Sequence, residues 1–164
     1  PAMERGVIDA FEFNNPSSDL RFGAPDVAKN YYLSSYHQAS ESFEFLFNRD
    51  FFDDLDPDLQ AIAKYAVEAA STSNTALAME NYSNDLQRIR DEFGVTVHRT
   101  SKEILQAQLE AWDELIVELE QDEFSKRVMD SQRAWVEKVT YYELMNAPDY
   151  ALAYEHYFPG RLAL

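Results

Sequence analysis

From Leu59 onward, apolar side chains recur three and four positions apart: Leu59, Ile62, Ala63, Ala66, Val67 and Ala70 share one helical face. The face continues more loosely through Leu77, Leu86, Ile89 and Phe93. Asp56-Pro57 starts the run, an acceptor side chain at the cap followed by a residue whose missing N–H would be unpaired anyway. Gly94 stops it, because glycine takes the left-handed backbone without a Cβ clash. The pattern predicts one long helix over about 57–93, roughly 50 Å at 1.5 Å per residue. Its centre, Ala69 to Ala76, is nearly all small side chains. Two descriptions suit that centre: a helix with a soft polar middle, or a spine under two lobes.

Strand patterns flank this helix. Gly6 to Phe13 is rich in Val, Ile and Phe and runs into the turn formers Asn14-Asn15-Pro16-Ser17-Ser18, which predicts a strand near 7–13. The aromatic Tyr31 to Tyr36, the alternation of Phe43, Phe45 and Phe47, and Val95 to His98 predict strands near 31–36, 42–47 and 95–98. Ala24 to Asn30 predicts a short helix, and Phe51-Phe52 a helical turn. Thr100 and Glu103 form a capping box ahead of Ile104, Leu105, Leu109, Trp112, Leu115, Ile116 and Leu119. Gln121-Asp122-Glu123 breaks that helix, a further stripe runs from Phe124 to Val139, and Tyr150 to Phe158 follows the breaker Asn146-Ala147-Pro148-Asp149. C-terminal helices thus occupy about 101–158. The sum is a helix-rich α/β chain with an incomplete sheet whose edges call for further strands.

Composition narrows the function classes. The 164 residues are 46% apolar and carry a net charge of −16, which makes a globular chain and a poor partner for nucleic acid. Cysteine is absent, so disulfides, thiolate nucleophiles and Cys-based zinc sites are excluded. No apolar run approaches the roughly 20 residues that span a bilayer.

Chemistry-bearing motifs are few. Glycine-rich phosphate loops, H-E-x-x-H and G-x-S-x-G do not occur. Asp9 and Glu12 form an acidic pair where an apolar stretch meets a loop, either a solvated strand end or a functional carboxylate. His98 and His156 read as structural or exposed. His37 follows Tyr36 and precedes Gln38, Ser40 and Glu41. Together with Glu12 it can build a small polar pocket, imidazole donating to a carboxylate ligand and Glu12 holding a hard cation through oxygen; otherwise the two are unrelated surface residues. These residues alone leave open a metal-assisted hydrolase or lyase built on Glu12 and His37, and an acidic helical module that dimerises.

Met3-Glu4-Arg5-Gly6-Val7-Ile8-Asp9-Ala10-Phe11-Glu12-Phe13 resembles the L-x-x-G-x-I-D-A-x-E-W/F segment of the solute-binding proteins of tripartite ATP-independent periplasmic (TRAP) transporters. Val27 to Tyr32, Tyr36-His37, Glu44 to Asn48 and Leu59-Gln60-Ala61-Ile62 continue the likeness, as do the Trp- and Tyr-rich C-terminal helices, over essentially the whole chain. It is most similar to the branch that binds 2-oxo acids and related small carboxylates, often with a metal ion. The resemblance implies a two-lobed α/β receptor that closes by hinge motion, with the long helix across both lobes. It also implies that this chain is the C-terminal half of a receptor about twice as long, periplasmic, without turnover, and partnered by TRAP membrane subunits.

Carried over by position, Glu12 contacts metal and ligand. Phe13 stands where an aromatic, commonly Trp, supplies a backbone carbonyl to the cation, and here lacks the indole N–H. His37 lines the cleft, and Tyr36 and Asn14 join the ligand site. The family's ligand-pairing arginine has no match, since Arg5, Arg21 and Arg49 fall outside its motif. Some relatives dimerise through long C-terminal helices, which makes the Trp112–Trp135 region a candidate homodimer interface.

Overall fold

A computed structural model of the chain describes residues 1–37 and 43–162. In chain order its elements are α1 (Pro16–Phe22), α2 (Ala24–Val27), β1 (Asn30–Leu33), α3 (Arg49–Asp53), α4 (Pro57–Asp91), β2 (Thr96–Arg99), α5 (Lys102–Leu119), α6 (Glu123–Asn146) and α7 (Tyr150–Tyr157). The chain divides into two compact units: Pro1–Tyr32 with Gln38–His98, and Leu33–His37 with Arg99–Leu164.

In the first unit α1 packs against α2 and α4. The Asn15 side chain caps α1 by accepting from the Ser18 N–H at 2.9 Å, Pro16 takes the first helical position, and Gly23 ends the helix at φ 83°. Sequence reading made this stretch a turn; an Asn-Pro pair serves equally well as a helix start. Around this packing Ala24, Ile89 and Val95 are buried, together with the polar Asn15, Ser17 and Asp19.

Helix α4 has 35 residues. Asp56 holds the cap position, but its side chain makes no capping bond; instead its carbonyl accepts from the Gln60 N–H at 3.0 Å. The Gln60 carboxamide donates to the carbonyls of Phe52 and Leu55, each at 3.0 Å, and so ties α3 to the first turn of α4. In the centre, Ser71, Thr72 and Thr75 donate to the carbonyls of Val67, Glu68 and Ser71 at 2.8, 3.1 and 3.0 Å, which satisfies polar side chains inside the helix itself. Gly94 follows the helix at φ 64°, and the Val95 N–H returns to the Ile89 carbonyl at 3.3 Å.

The sheet is smaller than the sequence pattern suggests. Residues 7–13 form no strand, and neither do 43–47; residue 42 of the latter prediction lies outside the described residues. A strand persists only where a neighbour takes its backbone bonds. Among the described residues the one sheet pairs β1 with β2. The Thr96 N–H meets the Lys29 carbonyl at 2.9 Å and the Thr100 N–H meets the Leu33 carbonyl at 2.8 Å, an order that makes the strands parallel. Parallel strands need a crossover of a dozen residues or more, and α4 lies within it. β1 stops short of the expected 31–36 because Ser34 turns to a left-handed φ of 66°.

In the second unit α5 is capped one residue later than expected. The Ser101 hydroxyl accepts from the Ile104 N–H at 3.4 Å, while the Thr100 hydroxyl donates to the Leu33 carbonyl at 2.8 Å. α5 and α6 are separated at Glu120–Asp122, where Asp122 accepts from the Ser125 N–H at 2.7 Å and Arg133 pairs with Glu120. Asp149 caps α7 through the Leu152 N–H at 2.9 Å. Among the described residues of this unit only Thr100 is buried, so Trp112, Leu115, Trp135 and Val136 face outward.

Candidate functional site

The first group of candidate residues, Glu12, Phe13 and Asn14, lies in the first unit on the irregular segment that enters α1. The Asp19 carboxylate of α1 holds that segment: Oδ1 accepts from the Asn14 N–H at 3.3 Å and Oδ2 accepts from the Tyr31 hydroxyl at 2.6 Å. Asp19 is 6% exposed, and a carboxylate so buried is tolerated only with donors of this kind. One turn further along α1, the Phe22 ring stacks on Phe13 at 4.7 Å between centroids and meets Phe11 edge-on at 6.4 Å. Both are favoured aromatic geometries. Glu12, between two residues that turn to the same ring, is exposed. Phe11 and Phe13 thus find a helix residue as their partner where the sequence composition called for a strand.

The second group, Tyr36 and His37, lies in the second unit, just past the left-handed Ser34. Gln108 of α5 organises this turn. Its Nε2 donates to the Ser35 hydroxyl oxygen at 2.9 Å, and its Oε1 accepts from the Tyr36 N–H at 3.3 Å. The Ser35 oxygen also accepts from the His37 N–H at 3.2 Å. A carboxamide suits the position because it offers a donor and an acceptor at once. The side chains of Tyr36 and His37 are exposed, while Gln38, Ser40 and Glu41 lie outside the described residues.

The remaining histidines have structural surroundings. His98 on β2 stacks on Tyr32 at 4.7 Å and shares a 2.9 Å hydrogen bond with Asn30, and His156 meets the Tyr157 ring edge-on. Among the described residues no three His, Asp or Glu side chains come together as a metal-binding group. A shallow depression on α6, about 250 Å³ and lined by Phe124, Arg127, Val128, Ser131 and Gln132, contains none of the candidate residues. Sequence reasoning passed over Asp19 and Gln108. Asp19 carried a usable signal, since it stands three residues before Phe22 and so on the same helical face; Gln108 carried none.

No helix among the described residues is long and apolar enough to cross a membrane. No solved structure matches the chain. The family model for the bacterial extracellular solute-binding proteins of family 7 matches residues 1–122, a span that contains both groups of candidate residues and stops before α6. On that match the chain belongs to the bacterial extracellular solute-binding proteins of family 7, the solute-capturing components of TRAP transporters.

Proposed function

We propose that this protein captures a small organic acid, a 2-oxo acid or a related monocarboxylate, in the periplasm and passes it to the membrane subunits of a TRAP transporter. The family match supports the solute-capture part of this reading, and its span includes Glu12, Phe13, Asn14, Tyr36 and His37. Further support comes from how their backbones are held, Asn14 against α1 through Asp19 and Tyr36 against α5 through Gln108. Presenting contacts from restrained segments lowers the ordering cost of binding.

In this reading the Glu12 carboxylate and the Phe13 carbonyl give two oxygens to a hard cation. Such ions take six or more oxygens, so the ligand's own carboxylate and carbonyl belong to the set. The His37 imidazole donates to the ligand carboxylate, and the Tyr36 hydroxyl and Asn14 amide supply further hydrogen bonds. Binding proceeds without turnover. α4 is proposed to run across both lobes of the receptor, and the Trp112–Trp135 region to be a homodimer surface.

Titration calorimetry on the full-length protein with pyruvate, with and without calcium, tests the reading. We expect a saturable heat and a loss of affinity of about tenfold or more in Glu12→Gln, the scale of one charge-assisted contact. Absence of heat with pyruvate, lactate and 2-oxobutyrate under both conditions would reject an organic-acid receptor.

A further inference from the structure

We propose that Asp19 is a positioning residue of the ligand site, holding the Glu12 segment in place from behind. The inference rests on the reading of Glu12 as a ligand contact.

Two functions are open to an acidic residue in the first turn of a helix. It can serve the helix, by capping it or by complementing its positive end. Alternatively it can reach away and hold something else. Capping of α1 is already supplied by Asn15. The bonds of Asp19 lead out of the helix, Oδ1 to the backbone of Asn14 and Oδ2 to the hydroxyl of Tyr31 on β1. Burying a carboxylate is costly unless donors compensate it. What compensates this one is a residue of the candidate site on one side and the sheet on the other. Asp19 thereby links the irregular segment to β1, the nearest element whose backbone is fixed by pairing.

Phe22 completes the grip from the same helical face. Its ring takes Phe13 and Phe11, the neighbours of Glu12 on either side. The segment from Phe11 to Asn14 belongs to no strand or helix. Its conformation is therefore set by side-chain bonds, and the Asp19 carboxylate is the buried, charged member of that set. Without it Glu12 is still present but no longer held where a ligand and cation would meet it. Affinity falls while the helices stay folded.

Amide hydrogen exchange and pyruvate calorimetry in calcium, on the full-length protein, decide the point. In Asp19→Ala we expect exchange across residues 11–14 to accelerate about tenfold, with α4 unchanged, and pyruvate affinity to fall by about the same factor. Asp19→Asn keeps an oxygen for the Asn14 N–H and should restore most of both. Tyr31→Phe, which removes one donor and leaves the carboxylate, should show a smaller shift in the same direction; it also carries the test if Asp19→Ala fails to fold. Unchanged exchange at 11–14, or equal acceleration through α1 and α4, overturns the positioning role. The Glu12→Gln control separates the two ideas. If it leaves pyruvate affinity unaltered, the ligand reading of Glu12 fails, whatever exchange shows. If it weakens binding while Asp19→Ala does not, the positioning proposal alone fails.

Discussion

The Lys29 ammonium donates to the carbonyl of Phe93 at 3.2 Å and to the carbonyl of Pro25 at 2.7 Å. One cation thus serves a carbonyl just past the C-terminal end of α4 and one within α2, near helix ends that are negative in potential. The backbone carbonyl of the same residue begins the pairing with Thr96. Replacing Lys29 with Met keeps the aliphatic stem and removes the charge. It should lower stability by about 1 kcal/mol in urea unfolding, and Lys29→Arg should lose less.

Gln108 is the only α5 side chain in the hydrogen bonds described for Ser35 and Tyr36. Gln108→Leu removes donor and acceptor together. Exchange of the Tyr36 and His37 amides should accelerate, and stability should drop by about 1 kcal/mol, because groups that were paired are left to water. Gln108→Glu keeps an acceptor for the Tyr36 N–H and loses the donor to Ser35, so it should fall between.

The Gln60 side chain joins α3 to α4. In Gln60→Ala the carbonyls of Phe52 and Leu55 each lose the carboxamide donor. Limited chymotrypsin digestion should cut at Phe51 or Phe52 several-fold faster than in the parent, reporting local opening and not global unfolding. Equal cutting rates would show that α3 is held by other contacts.

Asp122 gives a pH dependence with a definite sign. The Ser125 backbone N–H at the start of α6 holds its carboxyl below the ordinary aspartate value, with the Ser125 hydroxyl adding to the effect. A depressed folded value means that the cap's stabilisation is fully present above the unfolded value and is lost as pH falls through the folded one. Glu103 is depressed in the same direction, chiefly by the Ser101 hydroxyl at the start of α5. Helicity followed by circular dichroism should therefore decline below the usual carboxylate range. Asp122→Asn, whose carbonyl caps without titrating, should remove the α6 part of that decline.

Much of the helical layout was legible because helix ends are written locally. Pro57, Gly94, the break around Asp122 and the Asp149 cap act within a few residues of themselves. The same local chemistry misleads at two points: Asn15-Pro16 suits a turn but starts a helix, and Thr100 suits a cap that Ser101 supplies. Strands were the weak point, because their existence depends on a partner elsewhere. Val7 to Phe13 and Phe43 to Phe47 carry good strand composition, yet neither is paired among the described residues. Within the site, the identities of Glu12 and His37 drew attention through their chemistry. Gln108 could not, since a hydrogen bond to another stretch of backbone leaves no trace in spacing, and the spacing of Asp19 to Phe22 has meaning only once Pro16–Phe22 is known to be a helix.

Ser34 has one more effect. A two-stranded parallel pair of four residues each is prone to slippage, since moving by one position forfeits little. Here a shift would ask Leu33 or Ser35 to take the left-handed conformation that Ser34 already holds, and would carry Tyr32 off the His98 ring. The left-handed serine thus weighs against slippage of the pair, and does so from outside the ladder.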